Sequence, residues 1–317
     1  MTADRETLQR TIVEIPGNDR PDGAEIVLFD GLEGRCLRAC IAPAPIDRPT
    51  RGTAIVCPGR TEFIEKYFEV ARDLQSRGFA VLILDWPGQG LSDRLLDDSL
   101  KGHIDRFDTF MNALRAGLER AEERLPKPYV CVAHSMGGGI ALAAIIEQYV
   151  KVAAAAFSAP MWGIRGRFWG IRYLVWAMRV LGRADNYAQQ PGPPETFETN
   201  IVTHDEKRWR VQQALVEAAP DLGLGPVTWG WLGAVLNIFD TFAKPAKIRG
   251  IDIPVLVATA SEEKLVDNAA HARIAGQLPN AEHIIVEGAR HEILMETDEM
   301  RDQFWDAFDR LLHRAGV

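Results

Sequence analysis

The order of strand and helix signals along these 317 residues predicts an α/β fold on a mostly parallel, doubly wound sheet, with a helical insertion late in the chain. Three observations carry this. Short, almost wholly apolar runs recur at 53–57, 79–84, 152–158 and 254–260, the pattern of parallel strands buried on both faces. Between them lie stretches of helical periodicity; in 103–124, Phe107, Phe110, Met111, Leu114 and Leu118 share one face. The apolar run from Tyr129 ends in Ala133-His134-Ser135-Met136 and three glycines, then continues as the apolar stretch 140–146. That is a strand, a tight turn and a helix, with Ser135 at the apex.

In chain order, 25–30 and 35–41 read as a hairpin around 31–34. Residues 53–57 make a buried strand and 62–77 a helix, which Gly78 ends because glycine tolerates a left-handed C-terminal turn. Strand 79–84, helix 103–124, the strand and helix around Ser135, and strand 152–158 follow. Later come strand 254–260, helix 268–278, strand 283–286 and a final helix over 298–313. The stretch 160–247 breaks this alternation. It carries Trp162, Phe168, Trp169, Tyr173, Trp176, Trp209, Trp229, Trp231, Phe239 and Phe242, and is divided at 191–194. The division expected is a core of 1–159 and 248–317, with 160–247 inserted as a helical cap over the strand ends.

Composition narrows the class. An apolar fraction of 47% and a charged fraction of 25% suit a water-soluble globular chain, and a net charge of −8 argues against nucleic acid as a partner. Residues 1–15 carry Asp4, Arg5, Glu6 and Arg10 without an apolar core, so they do not read as a signal peptide. No apolar run is long enough to span a bilayer. Cys36, Cys40, Cys57 and Cys131 lack metal-ligand spacing and read as reduced core residues, which points to the cytoplasm.

The turn at Ser135 has a chemical purpose. A serine hydroxyl is a weak nucleophile and must stand where a base and an electrophile both reach it. The segment matches G-x-S-x-G except that Ala133 replaces the first glycine, the smallest departure available. The following helix aims free N–H groups at an oxyanion beside Ser135, that of Met136 first. A catalytic serine needs a histidine, and the histidine a carboxylate. Of seven histidines, only His291 lies in the loop after the last strand. His134 is expected to pack locally, and His103, His204, His271, His283 and His313 to be structural or on the surface. After the strand ending at Thr259, the loop offers Glu262, Glu263 and Asp267 as acids.

These segments bear a family resemblance. Cys57-Pro58-Gly59-Arg60-Thr61-Glu62 with Lys66-Tyr67, Asp85-Trp86-Pro87-Gly88-Gln89-Gly90-Leu91-Ser92, His134-Ser135-Met136-Gly137-Gly138, Val202-Thr203-His204 and Ala289-Arg290-His291-Glu292 carry it. The chain resembles the monoacylglycerol lipase and lysophospholipase group of α/β-hydrolases, in particular its bacterial lysophospholipase L2-like members. The resemblance implies Ser135 as nucleophile, His291 as base and Glu263 as acid, where many members have aspartate; Asp267 stays an alternative. It implies an oxyanion hole from the backbone N–H groups of Met136 and Arg60, with Pro58-Gly59-Arg60 standing where the family has His-Gly-x. The Arg60 side chain is expected in a surface ion pair rather than on a substrate phosphate.

The implied activity is hydrolysis of a lysophospholipid or monoacylglycerol through an acyl-enzyme, with no metal or organic cofactor. A short-chain carboxylesterase is the alternative among enzymes, and a catalytically silent binding protein the alternative outside them. Arg165, Arg172 and Arg179 recur every seven residues. If helical, they form a basic stripe beside an aromatic face, suited to peripheral contact with a membrane surface. The aromatics of 160–247 are expected to line an apolar acyl channel. The oligomeric state is left open.

Overall fold

The computed structural model describes residues 3–31, 34–166, 170–193 and 195–317. Eight strands form one sheet, ordered β1-β2-β4-β3-β5-β6-β7-β8: β1 (Glu25–Asp30), β2 (Cys36–Ala42), β3 (Gly52–Cys57), β4 (Phe79–Asp85), β5 (Tyr129–His134), β6 (Ala154–Ser158), β7 (Val255–Ala260) and β8 (Ala281–Val286). β1 and β2 form the expected antiparallel hairpin, and β2 lies antiparallel to β4. From β4 to β8 every neighbouring pair is parallel. The short helix α1 (Ala3–Arg10) precedes the sheet.

Helices cover both faces. Alternate residues of β3 point to opposite sides, Ile55 and Cys57 into one cluster and Ala54 and Val56 into the other. The first cluster is filled by α3 (Asp108–Ala121), α4 (Ser135–Ile146) and α9 (Asn268–Ala275), the second by α2 (Phe68–Ser76) and α10 (Asp298–Ala315). Strands covered on both faces need no polar alternation, which is why they read as plain apolar runs. All four cysteines are buried and unbridged.

Two helices start later than their periodicity predicts. The stretch at 62–77 opens with a tight turn at Ile64–Tyr67 before α2, because Asp85 Oδ1 accepts the Ile64 N–H at 2.9 Å and pins that turn to the end of β4. The helix expected from 103 starts at Asp108. Residues before it are drawn toward the inserted segment instead: Gly102 N–H donates to the Pro226 carbonyl at 3.1 Å, and Thr228 N–H to the Gly102 carbonyl at 3.0 Å.

Between β6 and β7 run α5 (Ile171–Val180), α6 (Glu206–Ala218), α7 (Trp229–Phe242) and α8 (Pro245–Arg249). The three-arginine stripe does not form. Gly166 and Gly170 take left-handed backbone with φ of 128° and 78°, so the helix begins at Ile171 and leaves Arg165 outside it. Arg165 instead donates to the Glu263 carbonyl, and Arg172 pairs with Asp240 at 2.8 Å. Nor do the aromatics form one lining. Trp162 packs in the core against Phe157, and Trp231 and Phe242 are buried, whereas Tyr173 and Trp176 face solvent at 81% and 64% exposure. Phe168, Trp169 and Pro194 lie outside the described residues.

Candidate active site

β5 delivers His134 in extended backbone, and α4 begins at the next residue. Ser135 makes the turn with φ of 49°, a left-handed conformation that costs a side-chain-bearing residue roughly 1–3 kcal/mol. Packing holds it there. A Cβ on Gly137 would stand 2.0 Å from the Cys57 carbonyl oxygen and 2.4 Å from that of Pro58, so only glycine lets α4 approach the end of β3. Ala133 is fully buried inside β5, where its methyl is accommodated.

Three side chains from three loops meet at this turn. The Ser135 hydroxyl lies 2.8 Å from His291 Nε2, and His291 Nδ1 lies 2.7 Å from Glu263 Oε2. With Nδ1 donating to the carboxylate, Nε2 is left with a lone pair facing the serine. His291 is 4% exposed and Glu263 3%, while Ser135 keeps partial access to solvent. Burial would raise the Glu263 pKa, but the bond from His291 and the N–H groups of Leu265 (2.7 Å) and Val266 (3.2 Å) outweigh it and hold the carboxyl below its usual range. Asp267 does not join the group. Its carboxylate accepts the Ala269 N–H at 3.0 Å and caps α9. Glu262, the remaining acid of the loop, is exposed.

The loop after β3 is fixed peptide by peptide. Trp86 Nε1 donates to the Pro58 carbonyl at 2.8 Å, Glu62 accepts the Gly59 N–H, and Gln89 Nε2 donates to the Gly59 carbonyl at 3.1 Å. The C=O and N–H of a trans peptide point oppositely, so the grip on the Gly59 carbonyl also sets the direction of the Arg60 N–H. Gln89 Oε1 then accepts the Thr61 N–H at 3.3 Å. The Met136 N–H lies in the first turn of α4, where no intrahelical acceptor exists. Residue-by-residue reading missed Gln89. Its signal was a lone amide among the glycines of Gly88-Gln89-Gly90, in a turn that looks purely conformational.

Behind His291 lies a buried charged network. His134 packs against it with ring centroids 4.8 Å apart and planes tilted by 56°, and His134 Nδ1 faces the Ser158 carbonyl at 3.0 Å. Burial pushes the His134 pKa down to about 4, so its ring is neutral near pH 7. Glu62, His134 and Glu292 cluster closely enough to suggest a cation cage. The Lys66 ammonium fills that role, 2.8 Å from Glu62 and 2.7 Å from Glu292. Tyr67 adds a hydroxyl bond to Glu62 at 2.6 Å. Burial would raise the Glu62 pKa, yet Lys66 and these partners bring it down to about 2.

A serine, a histidine and a carboxylate in hydrogen-bonded sequence on this sheet define an α/β-hydrolase, an enzyme of hydrolytic class. The family model described as serine aminopeptidase, S33, matches residues 48–298, and the chain belongs to that hydrolase family. Lysophospholipase L2 of Escherichia coli K12 is 35% identical over 262 residues, covering 78% of this chain and 76% of that protein. A probable lysophospholipase L2 of Haemophilus influenzae is 30% identical, over 79% and 80% of the two chains. Among solved structures, a soluble variant of monoglyceride lipase from Saccharomyces cerevisiae superposes with a TM-score of 0.71 over 95% of this chain and 100% of its own, at 17% identity, which speaks to the fold.

Proposed function

We propose that this protein cleaves the carboxylic ester of a single-chain lipid, a lysophospholipid or a monoacylglycerol, through an acyl-enzyme. The observation that carries the reading is the hydrogen-bonded series Ser135–His291–Glu263 on a left-handed turn. Ser135 Oγ attacks the ester carbonyl while His291 Nε2 takes its proton, and Glu263 stabilises the imidazolium and its orientation. The N–H groups of Arg60 and Met136 receive the oxyanion, a role in which one donor is worth about 3 kcal/mol. The intermediate collapses as His291 protonates the leaving alcohol. Water then gives its proton to His291 and attacks the acyl carbon, releasing the fatty acid and restoring the serine. The relatives' names support the substrate class.

In this reading 160–247 forms the cap, and α5 is its contact with a lipid surface. Only Val175 of that helix is buried, while Tyr173, Trp176, Val180 and, just beyond it, Leu181 stand 64–81% exposed. A cluster of large exposed apolar side chains marks an interaction surface. No helix among the described residues is long and apolar enough to cross a membrane, so contact would be peripheral.

The test is Ser135→Ala. Turnover of p-nitrophenyl esters and of lysophosphatidylethanolamine should fall by roughly four orders of magnitude or more, and a fluorophosphonate should label Ser135 alone. Labelling of another serine, or turnover retained in the variant, refutes the assignment. Activity confined to acetyl and butyryl esters would reduce the proposal to a short-chain carboxylesterase.

A further inference from the structure

The Arg60 side chain is not in the surface ion pair its sequence position suggests. It runs inward from the loop after β3 to the inserted segment, where Nη2 donates to the Gly225 carbonyl and the guanidinium lies 5.8 Å from the centre of the Trp231 ring. Its Nε is enclosed with no hydrogen-bond partner. Burial is the one influence on its pKa, pushing it down to about 10, and no described carboxylate offsets that. The most deeply buried arginines differ: Arg38 meets Glu65 and Asp85, and Arg301 meets Glu69 and Asp73. Arg60 as a residue keeps partial exposure, but a cation drawn even partly out of water without an anion is destabilised, and an anionic ligand removes that penalty.

Its location says which anion. The residue whose N–H faces the ester oxyanion also carries this guanidinium, so the two are joined by one side chain. In a single-chain glycerophospholipid the ester carbonyl and the phosphorus are likewise joined by a three-carbon backbone and its two oxygens, a chain of similar length. A guanidinium offers a planar fork of N–H donors matched to phosphate oxygens, and the enclosed Nε still has its proton to give. A neutral glycerol headgroup would leave that donor and charge unmatched.

We propose that Arg60 forms a subsite for the phosphate of a single-chain phospholipid, selecting lysophospholipids over monoacylglycerols. The proposal rests on the ester-hydrolase reading above, and its tests separate the two. With one acyl chain on both substrates, the ratio of kcat/KM for lysophosphatidylethanolamine over monoacylglycerol should favour the phospholipid. Arg60→Gln should lower that ratio roughly ten- to a hundredfold, the effect of a hydrogen bond to a charged group. Arg60→Lys, which keeps the charge, should retain part of it. The backbone N–H is common to both substrates and cancels in the ratio, so an unchanged ratio in Arg60→Gln overturns the subsite.

A binding measurement needs no turnover and no substitution at Arg60. In Ser135→Ala, an ether analogue of lysophosphatidylethanolamine should bind more tightly than the corresponding alkylglycerol, and glycerol 3-phosphate should displace it. Equal binding of the two ether lipids overturns the subsite even if Ser135 is the nucleophile. Displacement by inorganic phosphate as strong as by glycerol 3-phosphate would assign the site to the free anion and overturn the headgroup assignment.

Discussion

Which carboxylate meets His291 is a matter of reach. Counting residues from Thr259 leaves Glu263 and Asp267 both available, because a loop residue's direction is not a property of its position in the chain. The loop turns on itself: Glu263 Oε1 accepts the N–H groups of Leu265 and Val266, which frees Oε2 to face His291 at 2.7 Å. Arg165, expected in a basic helical stripe, fastens the same residue through its carbonyl. Glu263→Gln should therefore lower kcat by about four orders of magnitude with little change in KM. Asp267→Ala should act on stability, removing about 1 kcal/mol of helix capping and sparing most of kcat. Steady-state kinetics and urea melts of the two variants check this, and the reverse ranking of kcat would move the acid to Asp267.

At the scale of elements, strands were legible because a parallel strand buried on both faces leaves a period-free apolar run. Helices were legible in type, but their starts were not. Those at Asp108 and Ile171 depend on what the preceding residues bind and on two left-handed glycines. Helix α5 carries the consequence with most bearing on function, since its apolar side chains project outward. Trp176→Ser together with Leu181→Ser should weaken association with phosphatidylglycerol-containing vesicles about tenfold or more, each side chain contributing on the order of 1.5–3 kcal/mol if fully buried in lipid. Vesicle sedimentation measures this. Undiminished binding would detach the membrane role from α5.

Over the whole molecule, several titratable groups are buried with the sheet, and stability should depend on pH accordingly. His134 and His271 are both pushed down from an ordinary 6.5 to about 4, burial being the main cause in each. Between those values the unfolded chain binds protons that the folded chain refuses. Stability is therefore fully present above pH 6.5 and declines as pH falls toward 4. By pH 5 each histidine should cost about 2 kcal/mol relative to pH 7. Denaturant melts at the two pH values check this, and His271→Asn should flatten the decline. Equal stability at pH 7 and pH 5 would show that these rings are not held neutral.

Chain order and local pattern by themselves determined the sheet, its parallel core and the long break between β6 and β7, and singled out Ser135 and His291 as candidates. Each of these rests on short-range signals: apolar runs, small residues around a turn, a histidine after the last strand. The tertiary structure decided the rest: Glu263 rather than Asp267 beside the histidine, Gln89 gripping the loop after β3, Lys66 between two carboxylates, and Arg60 turned inward with no described carboxylate beside it. In each case at least one partner comes from a distant segment of the chain. Which polar group meets which is settled by the packing of the elements that carry those loops, through distances and desolvation that one segment of sequence does not encode.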